Sequence, residues 1–197
     1  MASDSDSSWR VFCAIELPAN VRALVCKHIM LLKEALPQAK ASWARETNLH
    51  LTLKFLGEVP QQSVARFSEA AARAVAGVKP FSIRLEQTGA FPERGQPRVL
   101  WIGVNDASGT LVALHARLEN ESAKAGFARE ARSFHPHLTV ARLRNAEGAR
   151  ALATAHKQTE FAPVEIAVSE LVVIRSELSN AGSRYTLISQ HELKSAT

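Results

Sequence analysis

Two short phrases carry most of the chemistry in this sequence: His50-Leu51-Thr52-Leu53 and His137-Leu138-Thr139-Val140. Each reads His, apolar, Thr, apolar, inside an apolar-rich run. In a strand, residues i and i+2 share a face. Each phrase therefore presents an imidazole and a hydroxyl on one side and two aliphatic side chains on the other. A single copy would read as ordinary strand packing. Two copies that share both residue types and both flanks point to paired use. An imidazole titrates near pH 6.5, so one histidine can be a base while its twin is an acid. Displacement at phosphorus needs that pair on opposite sides of the phosphorus, and threonine hydroxyls can donate to the non-bridging oxygens.

The surrounding residues divide by position. Lys54 has the strand parity of His50 and Thr52, which suggests a phosphate contact. Arg142 has the opposite parity to His137 and reaches the cleft only if the strand ends or bulges there. Arg94, Arg98, Arg129, Arg132 and Arg144 are candidates for a basic rim, with a solvated surface role as the plainer reading. Zinc takes three or four protein ligands, and neither motif brings a third ligand at the usual spacing, so no metal and no cofactor are expected. His135 precedes Pro136 and reads as a strand-entry residue. His28, His115, His156 and His191 fall in helical or terminal segments and read as surface or partly packed.

These motifs need elements to hold them. Strands are expected at 9–16, 42–44, 49–55, 81–87, 99–104, 137–142, 162–168, 170–177 and 184–191. Helices are expected at 19–36, 61–75, 110–125 and 146–158, from their apolar spacing and their Pro and Gly boundaries. Residues 89–97 (GAFPERGQP) read as a Gly/Pro loop. The two histidines are 87 residues apart in a chain of 197, which reads as a duplicated α+β lobe. Residues 1–8 and 194–197 are expected to be tails around one bilobal domain, 9–193.

The bulk properties fit. A chain of this length buries a substantial core. The hydrophobic fraction is 46%, the charged fraction 22% and the net charge +5. That balance suits an anionic partner. Cys13 and Cys26 read as buried free thiols in a reducing compartment. The polar, acidic N-terminus does not look like a signal peptide, and no apolar run is long enough to span a bilayer. A cytoplasmic monomer is expected.

The sequence resembles the two-histidine (2H) phosphoesterase superfamily, and within it the LigT-like RNA 2′,3′-cyclic phosphodiesterases. The resemblance rests on both motifs and on RVFCAIELP at 10–18, NLHLTLKFLGE at 48–58, PRVLWIGV at 97–104, FHPHLTVAR at 134–142 and the late segments SELS (176–179) and SRY (183–185). It implies an α+β, bilobal, pseudo-twofold fold with two antiparallel-rich sheets flanking a central cleft and helices outside. It implies that His50 is the proton donor to the departing 3′ oxygen and His137 the proton acceptor that activates water. Thr52, Thr139 and Arg142 would hold the phosphate. Cys13 stands where several relatives carry a larger or aromatic residue.

The expected activity is hydrolysis of RNA 2′,3′-cyclic phosphate ends to 2′-phosphomonoesters, with 2′,5′ RNA ligation as its reverse-type chemistry. Substrates would be RNA ends or nucleotide cyclic phosphates, tRNA halves among them. The competing readings are a non-catalytic RNA-binding module and a related 2H enzyme for 2′,5′-oligonucleotides or small cyclic nucleotides. Two intact histidines and two intact threonines count against a mere binder.

Overall fold

The computed structural model describes residues 7–144, 146–179 and 182–195. Nine strands and four helices follow in the order β1 (Ser8–Glu16), α1 (Ala19–Ala35), β2 (Ser42–Trp43), β3 (His50–Pro60), α2 (Val64–Val75), β4 (Phe81–Phe91), β5 (Val99–Asn105), α3 (Thr110–Lys124), β6 (His137–Arg142), α4 (Ala149–Gln158), β7 (Val164–Val168), β8 (Glu170–Ser179) and β9 (Gly182–Glu192). Helix α1 follows Pro18, whose φ of −57° is already helical, and ends at the residue pair before Pro37, where α geometry is disfavoured. The N-terminal strand starts earlier than the expected tail boundary: Ser8 already pairs with Pro60.

The strands form two antiparallel sheets. The first has the order β3-β1-β8-β9 and the second β2-β6-β5-β4-β7. The orders match element by element: β3 with β6, β1 with β5, β8 with β4, β9 with β7. This is the expected α+β, pseudo-twofold arrangement, and the two motif strands occupy equivalent places in it. Short β2, just upstream of β3, crosses to pair with β6 in the other sheet.

Each sheet has an inner face and a cleft face, set by the period of two. On β1, Val11, Cys13 and Ile15 join the main core, while Phe12 and Ala14 belong to a separate small cluster with Val172, Ile174 and Tyr185 on the other face. Cys13 is therefore a core thiol, and its neighbour Phe12 looks into the cleft. Cys26 is only partly buried.

The motif strands share one irregularity that decides which basic residues reach the cleft. Opposite Ala14 and Cys13, β3 pairs through Thr52 and Lys54, skipping Leu53. Opposite Trp101 and Leu100, β6 pairs through Thr139 and Ala141, skipping Val140. A bulge adds one residue and reverses the facing of everything after it. The parity expectation for Lys54 is thereby overturned: the residue is buried, and its ammonium donates to Glu119 Oε1 at 2.6 Å and to the Ala128 carbonyl at 2.9 Å. The same bulge in β6 turns Arg142 outward. Lys54 corresponds to Ala141, and Phe55 to Arg142.

Strand β4 also departs from expectation. The segment 89–97 does not begin as a loop, because β4 continues through Gly89 to Phe91. Glycine weakens a strand by leaving no side chain to pack. Here the Trp101 ring covers that gap, lying where a Gly89 Cβ would fall. His28 and His156 are likewise not surface residues: both are buried, and they hydrogen-bond each other at 3.0 Å.

Candidate active site

Both motif histidines are anchored in the same way. His50 Nδ1 donates to the Asn48 carbonyl at 2.8 Å, and His137 Nδ1 donates to the His135 carbonyl at 2.8 Å. A carbonyl only accepts, so each Nδ1 carries the proton and each Nε2 is left for chemistry. In both cases the anchoring carbonyl lies two residues upstream, where the chain enters the strand. The local fold thus sets one tautomer twice.

Aromatic rings set the planes of the imidazoles. Phe12 stacks on His50 with centroids 4.6 Å apart, and Tyr185 meets it edge-on at 5.3 Å. Phe91 meets His137 edge-on at 5.1 Å. These neighbours withdraw water. Burial pushes the His50 imidazole down to about 4, against the Asn48 carbonyl, which favours the charged form; nearby Arg142 lowers it further. Burial also lowers His137, opposed by the His135 carbonyl and aided by Arg142.

The positive charge of Arg142, at the end of β6, disfavours the protonated form of both histidines. Tyr185 ties the same region together. Burial raises its phenol, while Arg142 and Arg10 pull it down. Arg10 lies 4.5 Å above the ring of Phe55, the residue equivalent to Arg142. On the first lobe the motif strand thus carries an aromatic ring at this place, and the cation over it comes from β1. Thr52 and Thr139 are half-buried, on the same face as their histidines.

Strand parity placed His50 with Thr52 and His137 with Thr139, and the structure keeps each pair on one face; Arg142, expected in the cleft from the resemblance and by parity only through a bulge, follows such a bulge. The structure does not bring Lys54 to the cleft. Phe12, Phe91, Arg10 and the two anchoring carbonyls had no role assigned, and Tyr185, the sole tyrosine, entered only as part of a matching segment. Strand parity with Ala14 could have found Phe12. Nothing local marks Tyr185, which arrives from β9, across β8, as the partner of Ser176. Beside His50, Thr47, Tyr185 and Leu187 help enclose a depression of about 210 Å³. Beside His137 lies a second depression of about 470 Å³.

The sequence model of the 2′-5′ RNA ligase superfamily matches residues 21–180. The chain belongs to this superfamily. It is 32% identical over 180 residues to an RNA 2′,3′-cyclic phosphodiesterase of Thermotoga maritima, covering 91% of this chain and 92% of that one. It is 35% identical over 178 residues to an RNA 2′,3′-cyclic phosphodiesterase of Methanothermobacter thermautotrophicus, covering 90% and 95%. Among solved structures it resembles TT0787 of Thermus thermophilus, with a TM-score of 0.76 and 28% identity over 95% of this chain and all of that one. It resembles Escherichia coli LigT complexed with 3′-AMP at a TM-score of 0.72 and 28% identity, covering 95% and 99%. The LigT-like, two-histidine fold expected from the motifs is the fold found. No described helix is long and apolar enough to cross a membrane.

Proposed function

We propose that this protein is an RNA 2′,3′-cyclic phosphodiesterase that opens the cyclic phosphate to a 2′-phosphomonoester by paired imidazole catalysis. The observation that carries the reading is the double anchoring: two histidines on equivalent bulged strands, each held at Nδ1 by the carbonyl two residues before it. A binder of RNA gains nothing from fixing two tautomers. The named activity of the relatives is the same.

In the reaction, the phosphate lies between the motifs with its non-bridging oxygens toward Thr52, Thr139 and Arg142. The free Nε2 of His137 takes a proton from water as the oxygen attacks phosphorus. The protonated Nε2 of His50 gives its proton to the 3′ oxygen as the P–O3′ bond breaks. Phosphate stays on O2′. The symmetry of the motifs does not distinguish donor from acceptor, and the family resemblance supports this direction. Inequivalent walls, with Arg142 on one side and Phe55 beneath Arg10 on the other, give the ribose a preferred orientation. The two imidazoles cover both proton transfers.

The test offers cytidine 2′,3′-cyclic phosphate in EDTA and identifies the product by phosphorus NMR. A 2′-monophosphate is expected. A 3′-monophosphate would exchange the roles of the two histidines. Loss of turnover in chelator, restored by one added metal, would overturn the imidazole mechanism.

A further inference from the structure

The cleft face of the second sheet departs from that of the first beside the motif threonine. Ala14 lies beside Thr52, but its counterpart beside Thr139 is Trp101. The indole lies flat on β4, since a Cβ on Gly89 would meet ring carbons at 2.1–2.6 Å. Phe91 sits 5.3 Å away, tilted by 36°, and also touches His137. Together these rings line the depression of about 470 Å³ beside His137, a size suited to a small ligand. Its wall carries Glu86, Glu93 and Asp106, and among the described residues no lysine or arginine lines it. Asp106 is occupied by the first turn of α3, where it accepts from the Val112 amide. Glu86 Oε1 accepts from the Asn105 side-chain Nδ2 at 2.7 Å. Glu93 stands exposed on the rim.

Aromatic rings bind nucleobases by stacking, and a wall of carboxylates repels phosphate and accepts from base N–H groups. Resting on the acid and base roles proposed above, in-line geometry says which nucleoside this is. The cyclic nucleotide's own ribose hangs from the leaving oxygen, near His50. The nucleophile enters on the His137 side. When that nucleophile is a 5′-hydroxyl instead of water, its nucleoside must lie beside His137.

We propose that the Trp101–Phe91 depression is the subsite for this second nucleoside, the one whose 5′ oxygen His137 serves, with preference for a base rich in N–H donors such as guanine. In the forward direction His137 takes the proton from O5′, the P–O5′ bond forms, the P–O3′ bond breaks and His50 protonates O3′, leaving a 2′,5′ diester. In reverse, O3′ attacks, O5′ leaves with the proton from His137, and the 2′,3′-cyclic phosphate returns. No water is consumed in either direction.

Two measurements test this. Guanosine titrated into the protein should quench the indole fluorescence of Trp101, and the Trp101→Leu variant should lose that response; uridine should bind more weakly. Glu93→Gln, a rim change that leaves the sheet intact, should narrow the gap between guanosine and uridine. Kinetically, Trp101→Leu should lower kcat/KM for a 2′,5′-linked cytidine–guanosine dinucleotide about tenfold more than for cytidine 2′,3′-cyclic phosphate, the usual worth of one base–aromatic stack. Equal losses on both substrates would make the indole a support for His137 and overturn the proposal. So would guanosine quenching that persists in the variant. The titration reads the depression without turnover, so failure of the parent reaction remains distinguishable.

Discussion

At the scale of single residues, a histidine serves as acid or base only when its second nitrogen is held and its water is limited. His50 and His137 meet both conditions through Asn48, His135, Phe12 and Phe91. His50→Ala and His137→Ala should each lower kcat by at least about 10², with substrate binding less affected, since a general acid or base contributes roughly 10²–10⁴-fold. Near-normal turnover in either variant would remove that histidine from its role. The pH dependence follows from the two downward shifts. With His50 as the proposed donor and His137 as the proposed acceptor, the reactive free enzyme has His50 protonated and His137 neutral. That form is most populated between their two pKa values, about 4 for His50 and below 6.5 for His137, and it declines above both. Thus kcat/KM should peak on the acid side of 6.5 and fall through neutral pH. In the complex the phosphate anion favours imidazolium, so the kcat profile should lie at higher pH. A kcat/KM that rises steadily through pH 8 would mean that only a base titrates. The motif residues were legible because a two-residue period fixes their facing. Tyr185 was not, because only the long-range pairing of β8 with β9 brings it to His50.

At the scale of elements, the bulges at Leu53 and Val140 decide more than any side chain. A regular strand would send Lys54 to the cleft and bury Arg142. The bulges reverse both, and the sequence shows no local sign of them, since Leu and Val are ordinary strand residues. Their consequence is visible instead in the partners. Lys54 is closed in by Glu119, at 2.6 Å with both side chains nearly buried, and Glu119 Oε2 also accepts from the Glu130 amide. Lys54→Met should cost about 3–5 kcal/mol of stability, because it strands the Glu119 carboxylate without its cation. Lys54→Met combined with Glu119→Leu should recover a large part of that loss, and chemical denaturation of the single and double variants measures it. The folded double variant should retain turnover of the cyclic phosphate, because neither residue faces the cleft. If the double variant keeps its stability but loses phosphate affinity, Lys54 belongs to the site after all. The Gly89 stretch was misjudged for a related reason: a glycine in a strand looks like a break until the ring that covers it is known.

At the scale of the whole molecule, the two lobes are interlocked. Helix α1 follows β1 of the first sheet but docks on α4, which itself packs on β4 of the second sheet; α3 follows β5 of the second sheet but docks on α2 and β3 of the first. Each crossed helix is pinned by a buried polar contact, Lys54–Glu119 for α3 and His28–His156 for α1. The second pin is sensitive to acid. His156 Nε2 donates to the Trp101 carbonyl at 2.9 Å, which leaves its Nδ1 to accept from His28 Nε2. A proton on Nδ1 of His156 would face another N–H. Burial is the main cause that lowers both, His156 to about 4. The unfolded chain binds these protons near 6.5, so between 6.5 and 4 it holds more protons than the folded one, and stability must fall as pH falls through that window. The loss is on the order of a few kcal/mol and levels off below the folded pKa. Melting temperature followed from pH 7 to pH 4 should therefore decline, and less steeply in His156→Gln, which keeps an N–H donor for Trp101 but cannot titrate. Equal slopes would assign the acid sensitivity to His50 and His137 instead. Because Trp101 pairs with Thr139 of the second motif, releasing this pin in acid also loosens the strand that carries His137. Activity should then be lost irreversibly on the acid limb only where the melting curve has already moved.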